Sequence, residues 1–133
     1  MNVPVTILTA LLTLLSPVTL PAQHLPMSEG ERSRCGIEID MGRAHLTGLC
    51  LMLMEEGVVK ASMVNEFGVS YVDFTYSPTE RKVRLLSVND RLDRWYIRRT
   101  LRRDLLSLME NLRRGQPQYA RGSRTYRLLP EQQ

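Results

Sequence analysis

The chain has 133 residues, a net charge of +4 and two cysteines, and 16 of its 18 basic residues are arginine. At that length it builds one domain around one modest core, which excludes several independently folded units. Its longest apolar run is too short for the roughly 20 residues that a membrane-spanning helix needs, and an arginine-weighted excess of charge draws such a domain to anionic surfaces.

Residues 1–22 contain no Lys, Arg, Asp or Glu. Within them Ile7–Leu15 is a compact apolar stretch flanked by Pro4, Pro17 and Pro21, the pattern of an export signal with Leu20-Pro21-Ala22 as its cleavage site. No Lys or Arg precedes the stretch, so an uncleaved anchor is the alternative. Residues 23–33 are polar, with Pro26, Ser28 and Gly30, and read as a flexible leader. Residues 34–133 then form a single folded domain, expected in the periplasm or outside the cell.

From Arg34 to Asn89 the apolar period is near two, with turn residues at hairpin intervals. If Gly42-Arg43 form a two-residue turn with Gly first, paired residues have numbers summing to 85. One face then carries Cys35, Ile37, Ile39 and Met41 against Cys50, Gly48, Leu46 and Ala44, and the other carries the polar residues. A slip of one residue would destroy that sorting. Leu51-Met52-Leu53-Met54 is apolar on both faces, which predicts a sheet covered on both sides there. Glu55-Glu56-Gly57 turns the chain into a strand over 58–64, and Asn65–Gly68 reverses it into a strand over 69–76. Ser77-Pro78-Thr79-Glu80 reads as a type I turn before a strand over 81–88.

The period changes at Asn89-Asp90. Ile97, Leu101, Leu105, Leu108, Met109 and Leu112 recur at helical spacing, with Arg99, Arg103 and Glu110 opposite. Asp90 is the candidate N-cap and Asp93 a first-turn acid. Arg113 and Arg114 suit the other pole, and Gly115 and Pro117 end the helix. A last strand over 123–129 returns to the sheet edge. The fold class is therefore α+β: a curved antiparallel sheet of about six strands, an open half-barrel, packed on one long helix.

The residues that carry chemistry are few. Cys35 and Cys50 oppose each other in the predicted register, so a disulfide and a pair of small buried thiols are both open; with no CxxC present, neither is catalytic. His24 lies in the leader and His45 beside Asp40, without the further ligands a metal site needs. No GxSxG, HExxH or phosphate loop occurs, so no catalytic residue, cofactor or metal is expected, and the chain reads as a non-enzyme. Arg91, Arg94, Arg98, Arg99, Arg102 and Arg103 fall within thirteen residues and interleave with Trp95 and Tyr96. In an exported chain this points away from nucleic acid, towards anionic lipid headgroups or a partner's acidic face, with Arg94, Trp95, Arg98 and Arg102 making the contact. A solvated helix back is the bland alternative. Met41, Met52, Met54, Met63 and Met109 fall on predicted apolar positions, where methionine adapts to irregular partners or fills gaps.

The phrases TGLCLMLMEE, VNEFGVSYVDFTY, KVRLLSVNDRLDR and LRRDLLSLM, between Thr47 and Met109, together resemble a group of small exported proteins of Gram-negative bacteria, many of them lipid-anchored. More distantly, their pattern is similar to the periplasmic lipoprotein-carrier proteins, in which a curved sheet closed by a helix holds acyl chains. This chain lacks a lipobox Cys. The resemblance implies a binding module without catalysis, with Met52, Met54, Met63, Phe74, Leu101 and Leu105 lining an apolar cleft for an acyl chain or lipoprotein lipid. Membrane contact would be peripheral rather than integral. The alternative expectation is an assembly factor of the cell envelope that docks an acidic protein partner through its arginine-rich helix.

Overall fold

Seven strands and one helix occupy residues 24–130, which the computed structural model describes; the export signal expected over 1–22 lies outside the described residues. The elements are β1 (Arg32–Asp40), β2 (His45–Glu55), β3 (Val58–Val64), β4 (Ser70–Ser77), β5 (Lys82–Val88), α1 (Trp95–Arg113), β6 (Gln118–Arg121) and β7 (Arg124–Leu129). They form one antiparallel sheet in the order β5-β4-β3-β2-β1-β7-β6. The sheet curls into a half-barrel and α1 packs in its concavity.

The β1–β2 hairpin has the register that the apolar pattern demands. Cys35 pairs with Cys50, Ile39 with Leu46 and Asp40 with His45. Gly42 takes φ +83°, and the Met41 N–H donates to the Ala44 carbonyl at 2.8 Å. One register buries Cys35, Ile37, Ile39, Cys50, Met52 and Met54 together, and hydrophobic burial over a whole face fixes strand pairing more firmly than any single contact.

Five local expectations need correction. The helix starts at Trp95, not near Asp90, because Asn89 turns the chain first: its side-chain oxygen accepts the Arg91 N–H at 3.0 Å and its carbonyl accepts the Leu92 N–H at 2.8 Å. Arg94 is the N-cap without a side-chain cap bond, and no acidic residue lies in the first turn; Asp93 instead pairs with Arg98 at 3.1 Å. Glu110 faces the sheet rather than solvent, accepting the Tyr76 hydroxyl at 2.6 Å. The outer face of β2 is less buried than the inner one: Leu51 is 38% exposed and Leu49 and Leu53 are half-buried. Finally, β6 forms a hairpin with β7 through Gly122 at φ +60°; Gly-Ser between short alternating stretches was its available signal.

The C-terminus of α1 closes as expected. The Gln116 N–H donates to the Asn111 carbonyl at 2.8 Å and the Gly115 N–H to the Leu112 carbonyl at 2.9 Å, with Gly115 at φ +85°. These two bonds are a Schellman motif, which needs a left-handed residue that glycine supplies without strain.

Residues 24–31, read as a leader, lie against the sheet. Leu25 is buried in the core, the Gly30 N–H donates to the Met54 carbonyl at 2.8 Å, and the Met54 N–H donates to the Glu31 carbonyl at 3.0 Å. The Glu31 carboxylate accepts the Met27 N–H at 2.7 Å and pairs with His24 at 3.1 Å; the bond from Met27 does most to hold its pKa below the usual value.

Candidate functional site

The six residues expected to line an interior cleft are core side chains. Met52, Met54, Met63, Phe74, Leu101 and Leu105 are all buried in one cluster with Tyr76, Leu108, Met109 and Tyr126. The reason is α1: its apolar stripe of Leu101, Leu105, Leu108, Met109 and Leu112 fills the concavity that would otherwise hold a ligand.

The cysteines are cross-strand partners and both are free and buried. The Cys35 thiol donates to the Cys50 carbonyl at 3.9 Å. The contact with Cys35, followed by burial, pushes the Cys50 thiol well above its usual pKa, so it is held as an inert thiol rather than a reactive thiolate.

A buried polar cluster pins α1 to the far side of the sheet. Asp104 is the sole buried charged side chain among the described residues, and it sits on the apolar stripe of α1. Arg124 of β7 grips its carboxylate with both prongs, Nε to Oδ2 at 2.6 Å and Nη2 to Oδ1 at 3.1 Å, while the Tyr126 hydroxyl donates to Oδ2 at 2.7 Å. Burial first, and then the bond to Asp104, push the Tyr126 hydroxyl far above its ordinary pKa. Among the described residues no buried side-chain nitrogen or oxygen lacks a hydrogen-bond partner, and a satisfied buried set of this kind fixes how the elements that carry it sit against one another. A second polar set lies on the outer face, where Asp73 accepts hydrogen bonds from Ser62, Ser70 and Ser87. Burial opposes ionisation of Asp73, but the three hydroxyls outweigh it and the carboxyl lies below its usual pKa.

The arginine-rich face of α1 does form a concavity, with the edge strand β5 rather than with solvent alone. A groove of about 690 Å³ runs between them, lined by Arg98, Arg99, Arg102 and Arg103 from the helix and by Arg81, Lys82 and Arg84 from the β4–β5 turn and β5. Val83, Leu85 and Leu106 make its apolar floor, and Trp95, 76% exposed, stands at one end in edge contact with Tyr96. No family model, curated protein or solved structure matches this chain. The groove is therefore read from its own chemistry.

Of its seven cations, Arg98 pairs with Asp93 at 3.1 Å and Arg81 approaches Glu110 at 3.6 Å. Among the described residues, Lys82, Arg84, Arg99, Arg102 and Arg103 have no carboxylate partner. Trp95, Arg98 and Arg102, expected from sequence as contact residues, are brought together here; Arg94 caps the helix and does not line the groove. Lys82, Arg84 and Arg81 were missed, because a strand edge and a helix far apart in sequence become neighbours only through the fold.

A second concavity, about 810 Å³, lies on the outer face of the sheet. Leu51, Leu53 and Leu86 line it, with Arg32, Arg34 and Lys60 also present. Among the described residues no helix is long and apolar enough to cross a membrane, and no group of His, Cys, Asp and Glu gathers as a metal site would require.

Proposed function

We propose that this chain is an exported, non-catalytic binding module that docks an anionic partner in the groove between α1 and β5. The observation that carries the reading is the density of cations around an apolar floor, five of them without a carboxylate partner among the described residues. Like charges crowded along two facing elements repel one another, a cost that an anionic occupant removes. The arginine forks suit carboxylates, which they grip in a bidentate fashion.

The test is binding of fluorescent polyglutamate to the full chain across a salt titration. Binding is expected at low ionic strength and falls steeply as the Debye length contracts from about 10 Å to about 3 Å. The Arg98→Glu/Arg102→Glu chain is expected to lose about tenfold or more in affinity with an unchanged unfolding transition. Equal binding by both chains would place the contact elsewhere.

The outer groove supports a second reading, in which an acyl chain lies along Leu51, Leu53 and Leu86 with its anionic head near Arg32 or Lys60. Leu86 and Leu51, 62% and 38% exposed, line the same concavity, and it is adjoining exposed apolar side chains, rather than single ones, that mark a binding surface. Solvent extraction of the purified chain followed by mass spectrometry checks this, together with displacement of a fluorescent fatty acid. Recovery of lipid, with displacement weakened by Leu86→Glu, is expected; no lipid and no displacement removes the reading.

A further inference from the structure

The occupant of the α1–β5 groove follows from the strand that forms one of its walls. We propose that an extended acidic peptide adds a strand to the free edge of β5. This rests on the anionic-docking reading above and names the partner for it.

The sheet order ends at β5. Lys82, Val83, Arg84 and Leu85 pair in unbroken register with Ser77, Tyr76, Thr75 and Phe74, and the register shifts only beyond them. In an antiparallel pair only alternate residues of a strand bond to the neighbour, so this stretch presents its remaining N–H and C=O groups outward. The groove runs along that same edge. Its helical wall extends from Trp95 to Leu106, about 16 Å at 1.5 Å per residue, which accommodates about five extended residues.

The side chains decide which strand is admitted. A second copy of β5 would bring Lys82 and Arg84 against cations of the same kind, and like charges across a strand pair are unfavourable. The cations that keep this edge from pairing with itself therefore select an acidic strand, a repulsive and an attractive use of the same residues. Alternating acidic and apolar side chains would set one face towards Val83, Leu85 and Leu106 and the other towards Lys82 and Arg84, with Arg98 and Arg102 along the helix side.

The full chain has one tryptophan, and it stands in this groove, so Trp95 emission reports occupancy directly. A short peptide of alternating Glu and Val is titrated against the chain, followed by Trp95 emission and by anisotropy. A version N-methylated on alternate amides is run beside it. The parent peptide is expected to bind and shift the emission, the N-methylated peptide to lose about tenfold or more because it cannot complete the ladder, and the Arg84→Glu/Arg102→Glu chain to lose binding while unfolding normally. Equal binding of the two peptides overturns strand addition and leaves anionic docking standing. If neither peptide nor polyglutamate binds, both readings fall. If phosphatidylglycerol vesicles shift Trp95 emission while the peptide does not bind, the occupant is a membrane surface and the peptide proposal is overturned.

Discussion

The Asp104→Ala chain is expected to be less stable by about 3–5 kcal/mol, the cost of removing one partner from a buried ion pair. Arg124 and Tyr126 would both lose their acceptor. The Tyr126 hydroxyl is buried, while the Arg124 side chain is 31% exposed and recovers some hydration, which places the effect towards the lower end of that range. In a domain of this size each kcal/mol moves Tm by about 4–8 °C, so the change is plain in a thermal scan followed by circular dichroism. Replacing the whole cluster, as Asp104→Leu with Arg124→Leu and Tyr126→Phe, is expected to cost far less than Asp104→Ala, because no buried polar group is then left without a partner. A small loss in the single variant would show that water reaches the cluster. The same cluster sets an alkaline limit. The folded-state pKa of Tyr126 is raised above its unfolded value of about 10, so its contribution is fully present below about pH 10 and is lost as pH rises above it. The slope of unfolding free energy against pH in that window is expected to flatten in Tyr126→Phe.

Gly48→Ala is expected to cost about 3 kcal/mol or more, or to prevent folding, whereas Gly36→Ala is expected to change stability by about 1 kcal/mol or less. Both glycines lie in neighbouring strands of the same hairpin and neither has a positive φ. A Cβ on Gly48 would sit 1.8 Å from the Val64 carbonyl oxygen and 2.8 Å from its carbon. That is backbone, so no side-chain rotation relieves it. β3 ends beside this position, with Val64 paired to Leu49, the residue next to Gly48. At Gly36 the nearest atom is the Leu129 Cβ at 3.5 Å, an ordinary contact. Denaturant unfolding of the two variants side by side decides the point: equal transitions would mean that β3 does not press on Gly48.

The pair of glycines also shows where sequence reading reaches its limit. The alternation of apolar residues from Cys35 to Cys50 determined strand direction, register and facing, because a period-two pattern with one buried face has one self-consistent pairing. The helical stripe from Leu101 to Leu112 and its Gly115 stop were legible for a similar reason, since amphipathic period and cap chemistry are local. The start of α1 was not, because Asn89 competes for the same backbone donors a few residues earlier. The β6 strand is only Gln118–Arg121, too short for a period to register.

By itself, then, the amino-acid sequence determined an α+β chain with its hairpin register, its long helix and a concentration of arginine on that helix. Tertiary structure alone decided whether the interior is hollow or filled: the methionines expected to line a cleft are packed by α1, and no one-dimensional pattern distinguishes a core side chain from a cavity wall. Tertiary structure also gave the arginines their setting. Arg98 and Arg102 acquire Lys82 and Arg84 as neighbours because β5 is the sheet edge beside which α1 lies. Concavity and charge density come from contacts between residues distant along the chain, and those exist only once the sheet has curled round the helix.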